Sequence, residues 1–581
     1  MSVFSTCLPG LAESDLSLET FDRSGELVAQ LDGGSFVRAI LAYRREFARW
    51  PVDGPKRLGL LFRSEETVEF LVTALAATAE GYTIVPLYPS WDAETQLLYL
   101  KRFSVRLLAV AAGFASRASS WGGELDRLLV IDIAAKLEET RDLPLDSRDV
   151  FPEDLPADHA FAWIFTSGTS GDLAKCTEIT LANLDAAIEN IRDLDFLREG
   201  MVIHSPLSAS HIFAFVVVMA FLTLRPRRVI FSDIQYLSRL TEEKTGKVDA
   251  LILVPIVIHR LRSGLYEKLL YRRSDKNREI PEELRRLTRI PLPVRRLLKR
   301  ILRGAERSLI EVEQGRRRGR LGWPLVRVAR ALLGPMVRRR LGSPEFVVIG
   351  GAKPCLEAMA LLEVLGVRCL QGWGMTETTG PLAVCRLDDR FSGAFGTCGA
   401  LFPRTRASIE DGELIVEGPQ IARGYVEPGG EVVPFNGRKK TGDSAIFDRR
   451  GRLKVLGKAS DRITTDNGLN YNPLPMEDAL KALDLERDNV LEEAVVIGDG
   501  RPRLGAVFFL REGLEATDES RRYVEELLRV HNAKRPVDEK IPVWTVSEKC
   551  LRDVGGLGAT GKLVRRRVEK LFAHIYGEVL V

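Results

Sequence analysis

The sequence has few features that would suit an oxidising or membrane-spanning setting. Its seven cysteines (Cys7, Cys176, Cys355, Cys369, Cys385, Cys398 and Cys550) are odd in number and contain no Cys-x-x-Cys pair. That pattern argues against a disulfide framework and a structural zinc site, and it fits a reducing, cytoplasmic compartment. The first residues, MSVFSTCLPGLAESDLSLET, lack a basic segment followed by an apolar one, so no secretory signal is expected. Long apolar runs are also missing. The longest, HIFAFVVVMAFLTL at 211–224, is shorter than the roughly 20 residues that span a bilayer and reads as buried core. There are no internal repeats, and the only biased tract is rich in arginine.

What is present is an ordinary globular composition. The 45% hydrophobic and 28% charged fractions exclude a disordered or fibrous chain, and 581 residues are too many for one core. The net charge of +4 hides an asymmetry: residues 271–340 hold 22 Lys and Arg against 7 Asp and Glu, a local +15 that leaves the remainder at −11. Such a concentrated excess calls for a local acidic partner, either a membrane surface or a phosphate-rich molecule. The segment has helical period. Val294, Leu297, Leu298, Ile301, Leu302, Ala305 and Leu309 form one apolar stripe, with Arg295, Arg296, Lys299, Arg300 and Arg303 off it. A second stripe runs through Leu325, Val328, Ala329, Leu332, Leu333, Met336 and Val337. Packing on its own domain and docking on a membrane surface are both compatible with this pattern.

From residue 35 to about 130 helical and strand-like pieces alternate, as in FVRAILAYRREFARW, RLGLLF, EETVEFLVTALAATAEGYTIVPLY and VRLLAVAAG. FAWIF (161–165), RVIFSD (228–233), ALILVP (250–255) and EFVVIGG (345–351) continue the series as short apolar runs stopped by Gly, Pro or polar residues. This is the punctuation of a buried parallel sheet with helices on its faces. After residue 405 hairpin-like pieces follow, RASIEDGELIVEG and AIFDRRGRLKVLG, and near 460 a smaller unit begins that contains LEEAVVIGDG, PRLGAVFFL and a last helix.

Four stretches carry chemistry. FTSGTSGDLAK (165–175) combines small residues, hydroxyls and a lysine, a composition suited to phosphate or to a plain turn. No Gly-Lys-Ser/Thr follows its glycines, which disfavours a P-loop NTPase. In QGWGMTETTG (371–380), Trp373 has a flat face for a purine, Thr376 a hydroxyl for phosphate and Glu377 a carboxylate for magnesium, unless Thr and Glu only cap a helix. In TGDSAIF, Asp443 is either a ribose ligand or a turn aspartate. In GATGKLVRRRVEK, Lys562 is either a surface lysine or a mobile charged finger.

Taken together these stretches resemble the adenylate-forming enzymes, and most of all the long-chain fatty acyl-CoA synthetases. Six motifs appear in that family's order: TSGTSG, GGAKP (350–354), WGMTE, TGD (441–443), GKASD (457–461) and TGK (560–562). The resemblance implies an α/β fold: an N-terminal AMP-binding domain (1–460) of parallel sheets with flanking helices and a small β-barrel-like part, and a mobile α+β C-terminal domain (461–581) bearing the catalytic lysine. The basic segment at about 271–340 resembles the helical insertion of the long-chain members.

The implied cofactors are ATP, Mg2+ and coenzyme A, or the phosphopantetheine of a carrier protein. Thr166, Ser167, Gly168, Thr169, Ser170, Gly171 and Lys175 would hold the β- and γ-phosphates. The backbone of Gly351 and Ala352 and the ring of Trp373 would lie around adenine, Lys353, Gln371, Gly372, Gly374 and Met375 would belong to the same nucleotide site, Thr376 would touch the α-phosphate, and Glu377 would bind the metal. Asp443 would take the ribose, with Lys458 beside it. Asp461 would be the pivot, and Lys562 would bridge carboxylate and α-phosphate during adenylation. Carboxylate attack on phosphorus sets anion against anion, so placed positive charge lowers the barrier.

Three departures stand out. GDLAKC lacks the family's proline and sets Lys175 one residue later. Lys458 replaces an arginine, keeping charge but losing the bidentate fork, and TTDNGLNYNP only loosely matches the segment after the hinge. PLSASHIF (206–213) resembles the segment whose histidine lines the acyl pocket, which makes His211 the candidate there, unless it is a satisfied core histidine. The partners expected are a fatty acid, CoA or acyl carrier protein, and a membrane surface through 271–340, with no nucleic acid. A fatty acyl-AMP ligase or acyl-carrier-protein synthetase, and a nucleotide-binding pseudoenzyme, are the alternative readings.

Overall fold

The computed structural model describes residues 7–50, 54–141, 146, 155–166, 174–270, 291–313, 323–389, 394–487, 490–511, 513–533, 535–557 and 563–577. The expected alternation is realised as two large sheets. Among the described residues one has nine strands, in the order Ala400–Leu401, Gly380–Val384, Arg368–Met375, Phe346–Ile349, Ala250–Leu253, Val202–Ser205, Arg228–Phe231, Ser17–Phe21 and Leu27–Asp32. Its central pairs are parallel and both of its edges antiparallel. The other has eight, with Thr83–Pro86 between Ala160–Phe165 and Arg57–Leu61 at its parallel centre. An edge strand was not foreseen in the N-terminal stretch, because Leu27–Asp32 is largely exposed and carries no buried apolar signal.

Helix Ile212–Thr223 holds the large unit together. Eleven of its twelve residues are buried. Phe215 packs against Phe70 and Phe161, so the helix is enclosed on several sides. Most of the 211–224 run, Ile212–Thr223, is therefore core, and among the described residues no helix is long and apolar enough to cross a membrane. Beside it, helix Leu181–Arg192 is started by Thr180, whose backbone N–H donates to Asn183 Oδ1 while its own Oγ1 accepts from Asn183 N–H. Asn183 Nδ2 also donates to the carbonyls of Pro419 and Ile421, tying the helix to a segment more than 230 residues away.

The hairpins expected after 405 form a four-stranded antiparallel sheet: Arg406–Glu410, Glu413–Glu417, Arg438–Phe447 and Leu453–Lys458. Beyond Lys458 come a short helical turn, Ala459–Asp461, and a three-stranded sheet of Leu491–Ile497, Gly505–Leu510 and Val543–Val546 flanked by helices. This smaller unit has its own apolar cluster around Leu480, Phe508 and Leu527.

The basic insertion folds onto its own unit. Helices Leu292–Glu313 and Trp323–Arg340 bury Leu298, Leu302, Ala305, Leu309, Ala329 and Leu333 against helix Leu356–Val364. The stripes read from sequence are thereby split: Val294, Leu297, Leu325, Val328 and Leu332 are exposed, and Arg295, placed off the stripe, is buried. The reason is a second buried row. Glu306, one turn below Leu302, accepts from Arg262 (2.7 Å) and from the Tyr266 hydroxyl (2.7 Å), so the buried face turns toward helix Pro255–Leu270.

A second buried ion pair anchors the end of the chain. Arg565, at the start of helix Arg565–Leu571, pairs with Glu477 of helix Leu474–Glu486, and Glu477 also accepts from Val496 N–H (2.7 Å). Both side chains are almost fully buried. Removing one partner leaves an uncompensated charge, so Glu477→Ala is expected to cost about 3–5 kcal/mol in the small unit. Hydrogen exchange of strand Leu491–Ile497 would show it as lost protection, and the apolar pair Glu477→Leu with Arg565→Met is expected to recover most of it.

Candidate active site

The turn after strand Arg368–Met375 forms the centre of the site. Gly374 is needed there because an added Cβ would lie 2.0 Å from the Gly380 carbonyl oxygen. Strand Gly380–Val384 returns antiparallel, and Thr379 adopts a left-handed φ of 49° between them. Gln420, fully buried, donates to the carbonyls of Thr378 (2.7 Å) and Pro381 (2.8 Å) and accepts from Asn190 Nδ2 (2.6 Å). Thr376 and Glu377 are thus presented on a braced strand-turn-strand rather than at the start of a long helix.

Glu377 is buried, and its Oε1 accepts from the Tyr425 hydroxyl at 2.6 Å. Lys439 Nζ donates to the same hydroxyl at 3.3 Å. The ammonium of Lys175 stands 4.8 Å above the Tyr425 ring and that of Lys439 4.6 Å. Burial holds Tyr425 above its ordinary phenol value, helped by the adjacent Glu377 carboxylate. The Lys439 amine is held below the usual lysine value by burial, with Glu377 opposing. Among the described residues no group of three or more His, Cys, Asp or Glu is placed to hold a metal by itself. Glu377 fits a magnesium ion that takes one or two carboxylates and completes its shell with phosphate oxygens and water.

Asp443 lies on strand Arg438–Phe447 and is clamped from two sides. Trp373 Nε1 donates to Oδ2 (3.0 Å), and Lys458 Nζ pairs with Oδ1 (2.6 Å). Lys458 is thus the counter-ion of Asp443. Each carboxylate oxygen keeps a lone-pair site for a further donor. The Trp373 ring, 9% exposed, packs among Leu382, Ala383 and Leu414, so less of its face is offered than its position in the motif implies.

The remaining candidates fall as follows. Thr166 N–H donates to the Lys175 carbonyl (2.8 Å), closing the hairpin between strands Ala160–Phe165 and Cys176–Thr180. Ser167, Gly168, Thr169, Ser170, Gly171 and Lys562 lie outside the described residues. Gly351, with φ +86°, and Ala352 are exposed beyond the end of strand Phe346–Ile349, and Lys353 reaches the small unit to pair with Asp478 (2.9 Å). Gly372 and Gln371 are buried on the strand, Gln371 Nε2 donating to Cys398 Sγ (3.4 Å), while Met375 is half-buried. Asp461 is half-buried and held above its usual carboxyl value by burial, with Arg565 opposing. It faces Lys458 of the large unit as well as Arg565 and Glu477 of the small one.

His211 is no core histidine. It is exposed at the start of helix Ile212–Thr223, its ring 4.6 Å from that of Tyr88. A small cleft is lined by Phe213, Val217, Phe221, Val348, Gly372 and Pro381, with Leu194 and Phe402 also on its wall. Its lining is wholly apolar apart from backbone. Tyr425 and Lys439 were passed over in the sequence. The available signal was the pair of lysines immediately before TGD.

The chain belongs to the AMP-binding enzyme family: the family model matches residues 59–426, and that of the AMP-binding enzyme C-terminal domain matches 460–576. The long-chain-fatty-acid–CoA ligase FadD15 of Mycobacterium tuberculosis is 27% identical over 460 residues, covering 76% of this chain and 70% of that protein. The chloroplastic long-chain-fatty-acid–[acyl-carrier-protein] ligase AEE15 of Arabidopsis thaliana is 23% identical over 509 residues, covering 82% and 68%. Among solved structures, ATP-bound MatB from Rhodopseudomonas palustris shares the fold with a TM-score of 0.68 at 16% identity, over 99% of this chain and 100% of that one. A Mycobacterium tuberculosis fatty acyl CoA synthetase shares it at 0.59 and 14%, over 98% of both.

Proposed function

We propose that the protein activates a long-chain fatty acid with ATP, releasing pyrophosphate, and then passes the acyl group from the acyl-adenylate to the thiol of coenzyme A. The observation that carries the identity of the acid is the apolar cleft beside Gly372 and Pro381, whose lining suits a hydrocarbon tail. Phe213, two residues after His211, is part of its wall, and the Thr376–Glu377 turn lies between Gly372 and Pro381 along the chain.

In this reading Thr376 contacts the α-phosphate, Asp443 binds the ribose, and Trp373 with Lys458 keeps its carboxylate oriented. Gly351, Ala352 and Lys353 edge the adenine, and residues 166–175 hold the outer phosphates. Magnesium, held by Glu377 and the phosphates, supplies charge neutralisation at the reacting end. Lys562 brings an ammonium to the carboxylate and α-phosphate, where charge is redistributed in the transition state. Asp461, between residues 1–460 and 461–581, serves as the pivot on which the small unit turns between the two half-reactions.

A carrier-protein thiol is the second reading for the acceptor, favoured by the match to AEE15 and by the basic insertion, which would face an acidic carrier. We further propose that the enzyme works in the cytoplasm, peripherally at the inner face of a membrane. Val294, Leu297, Leu325, Val328 and Leu332 lie exposed on two adjoining helices, and the exposed arginines Arg296, Arg300 and Arg327 border them.

Lys562→Ala is expected to slow fatty-acid-dependent ATP–pyrophosphate exchange by roughly 100-fold while sparing thioester formation from supplied acyl-AMP. Equal losses in both steps would remove the finger role, and supplying CoA or a carrier protein in the second step separates the two acceptors. Val217→Phe narrows the cleft and is expected to shift the same exchange assay toward shorter acids. An unchanged chain-length profile would move the acyl tail elsewhere. Replacing Arg296, Arg300 and Arg327 with glutamine is expected to weaken binding to anionic vesicles by about 3 kcal/mol, since each basic side chain contributes ~1 kcal/mol near such a surface. Parent-like binding at low salt would end the membrane role.

A further inference from the structure

Lys439 stands outside the motifs that define the site, yet it is built into it. Its ammonium donates to the Tyr425 hydroxyl, which in turn donates to Glu377 Oε1. It also lies 4.3 Å above the Phe435 ring. The charged groups that face it are Glu377, Glu413, Lys175 and Lys458. Of these, Lys458 is already paired with Asp443.

Two like charges, the exposed Lys175 and the half-buried Lys439, share one aromatic ring, an arrangement that repels unless an anion joins it. Glu377 compensates only in part, because its carboxylate is engaged by Tyr425 and, in the reading above, also serves the metal. A ligand carrying several negative charges would settle both ammoniums at once.

We propose that Lys439 and Lys175 form a two-lysine clamp for the β- and γ-phosphates of ATP and for the pyrophosphate that leaves. This deepens the adenylation reading and rests on it. As the acid's carboxylate oxygen bonds to the α-phosphorus, the bond from that phosphorus to the bridging oxygen breaks, and the electron pair stays with pyrophosphate. Negative charge grows on the leaving group, where a nearby ammonium stabilises it most.

The test is equilibrium calorimetry on the full chain, titrating magnesium pyrophosphate and AMP separately. Lys439→Met and the polar Lys439→Gln are expected to weaken pyrophosphate by about tenfold or more, the scale of one lost charge-assisted contact, with AMP affinity within about twofold of the parent. The KM for ATP should rise in step with that loss, and Lys439→Arg is expected to recover most of both. Parent-like pyrophosphate affinity in a folded Lys439→Gln variant would overturn the clamp and leave the adenylation reading standing. Equal weakening of AMP and pyrophosphate would overturn it too, since that is what a merely structural lysine would give. A parent chain that binds neither ligand would instead defeat the adenylation reading itself.

Discussion

The large unit depends on the burial of one apolar helix, Ile212–Thr223. A helix that is hydrophobic all round has no solvated face to present, so it is stable only where it is enclosed. Here it is enclosed by Phe70 and Phe161, by helix Leu181–Arg192 and by strand Gly380–Val384. That single requirement fixes several features of the site. It sets His211 at an exposed helix start, lays the Phe213 ring against Gly350, and makes Val217 and Phe221 one wall of the apolar cleft.

The polar half of the site follows a different rule. Positive groups from two distant segments, Lys175 on one and Lys439 with Lys458 on the other, gather round two buried carboxylates, Glu377 and Asp443. Each carboxylate is first oriented by an aromatic side chain, Tyr425 for Glu377 and Trp373 for Asp443. Fixing the acids leaves the ammoniums to meet a polyanion without large rearrangement, which is where preorganised charge is most effective. The apolar cleft and the lysine cluster meet at the braced turn from Gly374 to Gly380, where Gln420 locks the backbone.

The basic insertion shows how far periodicity reaches. An amphipathic stripe says that one face of a helix is covered, not what covers it. Leu298, Leu302, Ala305 and Leu309 were read as one face and are buried together, yet Val294 and Leu297 of the same stripe are exposed while Arg295 is buried. The difference comes from Glu306, whose buried contacts with Arg262 and Tyr266 on another helix turn the covered face away from the stripe's first residues.

The sequence by itself determined the α/β alternation, the core character of most of 211–224, the hairpins after 405 and the family, because these depend on local periodicity, turn residues and the order of six motifs. Tertiary structure alone decided the rest. Tyr425 meets Glu377 across 48 residues, Trp373 meets Asp443 across 70, and Arg565 meets Glu477 across 88. Which lysines converge on one aromatic ring, how much of Trp373 is exposed, and where an apolar cleft remains open are outcomes of packing. No spacing along the chain encodes them, since each is set by the relative placement of elements that only the folded core brings together.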